Sequence, residues 1–342
     1  PPSSSCSARR PARGILLALV VLVAGAGCSA TAFASSSSTS STSSTTLEPS
    51  IDDSSAQLAE HHDESSFSAG VPARDTRMSV EQYISSLVQK GEVSSDDFHV
   101  HGWRWHSLSF VRDAKRLERL ALHLLKAGDD MREEDGAMLD KAAEHVIDFN
   151  LAGLTNVEND VWFPWLRERL CGDKSTEIVA EERHRKQLGR IIDAVVEERD
   201  HLNRLAHAVR DQAKVASASD GDPSKRKEAI TNVAEMSASL ATRFQSLFET
   251  SAERILVPAV ALIVPERDQR SVSNKVIRKL GVLDSRRHLV GMYDAVLDEG
   301  STKERELFES EMPSLARAMI PRWRRKLYDP TAGMLDGLSV RD

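Results

Sequence analysis

Apolar side chains recur every three or four residues through four long stretches of this chain, and that period commits it to amphipathic helices. In the first stretch His106, Phe110, Asp113, Leu117, Leu120 and Leu124 follow one another at steps of 4, 3, 4, 3 and 4, and Gly128 ends the run. The second, from about 133 to 170, carries two stripes and closes at Gly172. One stripe is Met138, Ala142, His145, Phe149, Ala152; the other is Ile147, Leu151, Leu154, Glu158, Val161, Trp165. His184, Leu188, Ile191, Val195, Leu202 and Leu205 line one face of the third. Asp222 and Pro223 supply the cap and first position of the fourth, whose apolar face includes Ile230, Val233, Leu240, Phe244 and Leu247. Pro258 and Pro265 disturb its end. Four long helices joined by short polar loops bury such stripes by packing up-down-up-down around one core. The expected fold is all-α: a four-helix bundle over 100–265, a lead-in over 76–99 and a C-terminal helical extension over 266–342. Ser79, Gln82 and Gly91 mark a short helix in the lead-in, over 80–90. The extension carries amphipathic pieces at 272–280, 286–297 and 303–327.

The composition agrees with helices, since aromatic residues make up only 5% of the chain. A net charge of −7 repels phosphate backbones and argues against nucleic acid as a partner. Arg9, Arg10 and Arg13 are the only charges before residue 47. They precede an apolar run from Gly14 to Ala26 that is too short to span a bilayer but the right length for a signal peptide. Ala30-Thr31-Ala32-Phe33-Ala34 then leads into an almost pure Ser and Thr tract. This order resembles the plastid-targeting presequence of diatoms and related algae, in which a signal peptide is cut just before a Phe. The resemblance implies a signal peptide over 1–32, a transit peptide or disordered linker over 33–75, and a plastid destination. Plain secretion and a lipoprotein signal ending at Cys28 are the alternatives. Cys6 and Cys28 fall in this segment, so Cys171 stands alone in the mature chain without a disulfide partner. No later stretch is apolar enough to cross a membrane.

Glu158 interrupts its apolar stripe between Leu154 and Val161, and a carboxylate so placed needs a metal, a histidine or an arginine beside it. His106 and His184 open their own stripes. Glu249 and Glu253, four residues apart, share one face of the fourth helix. His145, His201, His207 and His288 have no partner at ligand spacing and read as structural or exposed. No nucleophile elbow, phosphate-cradling glycine loop or CxxC is present, so catalysis is not the expectation. The basic run from Arg322 to Lys326 reads as a solvated helix end.

Four segments resemble the hemerythrin-type cation-binding family. His106 in WHSLSFVRDAKRLERL matches the family's first-helix histidine, and Glu158 in NVENDVWFPWL its second-helix glutamate, with Phe163-Pro164 behind it. His184 in EERHRKQL matches the third helix, and Glu253 in SAERILVP the fourth, with Val257-Pro258 following. The resemblance implies a metal held by His106, Glu158, His184 and Glu253, with Glu249 as a further carboxylate. It also implies non-haem iron as the cofactor, and dioxygen or metal binding or sensing as the role. The chain departs from the pattern at Leu154, at Glu249 and at Leu188, where family members carry histidines. A degenerate bundle without metal, acting as a structural or protein-interaction module, is the alternative.

The presequence yields a first prediction. A fluorescent fusion of residues 1–75 should enter the plastid, and the same fusion with Phe33→Ala should stall before import; secretion of both to the medium would exclude the plastid reading.

Overall fold

The computed structural model describes residues 78–127, 132–172, 182–218 and 222–339, and among them all regular structure is helical. The expected signal and transit segments lie outside the described residues. Helix α1 is Val80–Gln89, followed by a 3₁₀ turn, Ser95–Asp97, and by α2, His101–Lys126. Helix α3 runs over 133–171, α4 is Glu182–Ala218, and α5 runs over 223–263. Helices α6 (Glu266–Leu280), α7 (Val282–Glu299), α8 (Thr302–Glu311) and α9 (314–332) follow, before a closing 3₁₀ turn, Gly333–Ser339. No helix among the described residues is long and apolar enough to cross a membrane.

The caps lie where the sequence placed them. Ser79 Oγ accepts from Gln82 N at 3.2 Å while Gln82 Oε1 accepts from Ser79 N at 3.0 Å, a reciprocal box that starts α1. Gly91, at φ 71°, takes the left-handed conformation just beyond its end. Asp222 Oδ1 accepts from the backbone N–H groups of Ser224 and Lys225 at 3.1 and 3.3 Å, and Pro223 needs no such partner.

Helices α3 and α5 contain prolines yet do not break. Each widens into a π-helical stretch just before its proline: Glu158–Trp162 ahead of Pro164, and Phe248–Leu256 ahead of Pro258. A proline lacks the N–H that would bond four residues back, and its ring crowds that carbonyl; the wider turn relieves the clash and the helix continues. The expected single piece over 303–327 is instead two helices. Met312 and Pro313 are both extended, at ψ 124° and 142°, because the residue before a proline is driven out of the helical region.

Helix α2 packs on α5, α5 on α4, and α4 on the first part of α3, which returns to α2. Their shared core includes Phe110, Leu117 and Leu124 from α2, Leu139, Leu154 and Leu166 from α3, Leu188 and Leu202 from α4, and Ile230 and Leu240 from α5. Helix α7 packs on the outer side of α2. There Trp105 joins Leu289, Val290, Phe308, Ile320, Trp323 and Tyr328 in a second, smaller core. Gly136 permits a close approach of α3 to α4, for a Cβ at that position would fall on the Ala216 carbonyl. On an open helix Gly→Ala adds up to about 1 kcal/mol of stability. Here the obstacle is backbone, which cannot swing away. Gly136→Ala should therefore destabilise the protein by roughly 1–3 kcal/mol in thermal unfolding. A raised melting temperature would mean that the two helices are not in close contact.

Candidate functional site

The four long helices each contribute one residue to a single buried point. Glu158 of α3 is 3% exposed. One carboxylate oxygen accepts from Trp103 Nε1 of α2 at 3.0 Å. The other accepts from Arg199 Nε of α4 at 2.7 Å and from Arg199 Nη2. Phe244 of α5 completes the group, its ring centroid 4.0 Å beneath the Arg199 guanidinium. Arg199 is 4% exposed, so both charges of the pair are removed from water. A guanidinium suits this role because its planar fork meets a carboxylate while its face stacks on an aromatic ring.

The other residues expected at a metal are elsewhere. His184 stacks on Tyr83 of α1 with centroids 5.2 Å apart, and its Nε2 lies 3.4 Å from Met78 O. Glu253 accepts from Arg104 Nε at 2.5 Å. Glu249 is exposed and accepts from Gln245 Nε2 at 2.7 Å, one turn earlier on its own helix. Glu249 and Glu253 line a surface hollow together with Arg104, Glu299 and Glu304. His106 is buried in the core, but its ring meets His288 of α7, with centroids 4.4 Å apart. Metal bonds to nitrogen and oxygen are about 2 Å long and require convergence. Among the described residues no group of three or more His, Cys, Asp or Glu side chains achieves it. The five residues do not fit an iron site.

A second buried polar centre lies along α2, where it meets α3 and the C-terminal helices. Asp113 is fully buried and accepts from Arg116 Nη1 at 3.0 Å and from Asn150 Nδ2 at 2.9 Å, with His145 Nε2 at 3.6 Å. Burial alone would raise its pKa, but His145, Arg116 and Arg112 outweigh burial and hold it below the ordinary carboxylate value. Arg116 also pairs with Asp336, and Arg112 with Asp298 at 2.7 Å, so the same network fastens the C-terminal helices onto α2. Around it, His288 stacks on Phe149 at 4.2 Å, His145 meets Tyr328 at 5.4 Å, and Gly153 leaves the space that the His288 ring fills.

Sequence reasoning missed Arg199, the partner of Glu158, although a signal was present. Val195 and Leu202 are seven residues apart in the α4 stripe, and Arg199 stands in the gap. His145 and His288, expected to be structural or exposed, are both buried. Comparison with protein-family models, with curated proteins and with solved structures gives no match, so the functional reading stands on sequence and geometry.

The buried imidazoles make stability depend on pH. Burial lowers the pKa of His101 to about 4, with Arg104 adding to the effect. Burial likewise lowers His106 to about 4, against hydrogen bonding to Asn150, and takes His288 well below its ordinary value. The unfolded chain takes up protons on these rings near pH 6.5, whereas folded His101 and His106 do so only near 4. Their stabilisation is thus complete above 6.5 and fades as the pH falls, by roughly 3 kcal/mol for each of these two at pH 4. Glu311 and Asp294, raised by burial to about 7 and 6, act in the opposite sense and offset part of the loss. The melting temperature should fall from pH 6.5 to 4.5, and less steeply in His106→Leu. An identical slope in that variant would show that His106 is not buried neutral.

Proposed function

We propose that the protein is a hemerythrin-like four-helix bundle in which an arginine takes the place of the core metal, and that it serves as a structural or protein-interaction module. The observation that carries this reading is the Glu158–Arg199 pair, in which the carboxylate is already neutralised and hydrogen-bonded on both oxygens. The order of neighbours, α2 to α5 to α4 to α3, supports the bundle, since sequence-adjacent long helices lie side by side and the last closes on the first. The metal reading keeps only one of its carboxylates in the core. Glu158 is committed to Arg199, and iron would have to displace a guanidinium held by two hydrogen bonds. In this proposal the pair selects one register of the four helices, because sliding any helix by a turn would leave a bare charge in an apolar core. The plastid to which the presequence would direct the chain is the proposed setting.

A double-mutant cycle tests the proposal. Arg199→Met and Glu158→Leu should each cost roughly 3–5 kcal/mol, because each leaves an uncompensated buried group. Combining Glu158→Leu with Arg199→Met should cost much less than the sum of the single losses, since apolar replacements of similar volume restore the core. Additive losses would mean that the two side chains do not pair.

A further inference from the structure

The basic run at 322–326 does not stand alone. Ten basic residues fall within 275–287 and 314–329, where the only acids are Asp284 and Asp329. Asp284 lies 3.7 Å from Arg287, while Lys279 pairs with Asp160 and Arg324 with Asp294. Among the described residues Lys275, Arg278, Arg286, Arg322, Arg325 and Lys326 form no ion pair, and all but Arg286 are exposed. In a chain of net charge −7, these two stretches make a local field of the opposite sign.

The two stretches meet in the fold. Helices α6 and α7 join at Gly281, whose φ of 75° turns the chain between them. Just inside α7, the Arg286 guanidinium lies over the Trp323 ring of α9, 5.6 Å from its centroid. Arg287 donates to Thr331 Oγ1, also on α9, at 3.2 Å. The corner of α6 and α7 therefore rests against α9.

Large apolar side chains stand out among these cations. Leu283 is 62% exposed, the most of any large apolar residue among the described residues, and shares a face of α7 with Arg286 one turn on. Leu315 is 43% exposed and shares a face of α9 with Arg322 two turns on. Cations alone suit any polyanion. A bare leucine beside them suits a bilayer, whose anionic headgroups meet the charges while its acyl boundary takes the aliphatic tip. A soluble acidic chain or a phosphate backbone offers the leucine no such medium, and the overall charge opposes nucleic acid.

We propose that the corner of α6 and α7, together with the exposed side of α9, docks on a membrane surface rich in anionic lipid, with Leu283 entering the interface. The site goes beyond the scaffold role and does not depend on the Glu158–Arg199 pair, with which it shares no residue.

The test uses the full chain and vesicles of phosphatidylcholine, alone or mixed with an equal share of phosphatidylglycerol. Binding, followed by flotation, should require the anionic lipid and weaken in 1 M salt, where the Debye length falls to about 3 Å. Each cation near such a surface is worth about fivefold in affinity, so combining Arg322→Gln, Arg325→Gln and Lys326→Gln should cost about a hundredfold. Leu283→Gln should cost about tenfold or more. The apolar run at 14–26 also favours membranes, so a local readout accompanies flotation. An environment-sensitive fluorophore on Leu283→Cys, in a chain whose own cysteines are replaced by serine, should shift to the blue with anionic vesicles and be quenched by nitroxide-labelled lipid. Absence of the shift, equal binding to both kinds of vesicle, or unchanged binding in either glutamine variant would each overturn the assignment. Equally tight binding to soluble polyglutamate would also overturn it, and would point to an acidic protein instead.

Discussion

A carboxylate buried at the meeting point of four helices must be answered there, and Glu158 is answered by Arg199. Much of the interior follows from that pairing. Trp103 turns its N–H toward the second oxygen, Phe244 lies flat beneath the guanidinium, and Phe110 packs on Phe244 with centroids 4.7 Å apart. Every long helix therefore contributes to neutralising or enclosing one charge. Such a pair adds little net stability compared with a purely apolar core. What it adds is intolerance of alternatives, because any arrangement that separates the two charges leaves both of them desolvated.

The second polar centre works on the same principle at a different boundary. Asp113 is fully buried on α2 and gathers Arg112, Arg116, His145 and Asn150. The two arginines reach onward to Asp298 and Asp336, so the C-terminal helices are fixed by charge as well as by the small core around Trp105. His106 sits where the two regions meet, touching His288 on α7 and lining a cavity beside Leu154. The position at which the resemblance calls for a second-helix histidine is thus occupied by a fully buried leucine in the wall of an apolar space.

The helices were legible in the sequence because period and caps are local. Ser79 with Gln82, Gly91, and Asp222 with Pro223 marked their ends, and each mark has its hydrogen bond or dihedral angle in the structure. The break at Pro313 was also written locally, in a proline within an apparently continuous pattern, and the amphipathic period masked it. What one helix meets on another is not local. His106 and His288 lie in different regions of the chain, and no spacing rule joins them. Arg199 was half legible: it filled a gap in an apolar stripe, as Glu158 did, and two opposite charges interrupting two inward faces are candidates for each other. Family resemblance directed attention to a metal, while the electrostatic complement stood in the same sequence.

The central claim is that a guanidinium, and not a metal ion, satisfies Glu158. Thermal unfolding of the purified protein with a strong chelator, without it, and with a slight excess of ferrous iron tests this claim directly. A resident metal binds only the folded state and raises its melting temperature by mass action. The account predicts three coincident unfolding curves. A melting temperature that drops with chelator and recovers with stoichiometric iron would contradict it.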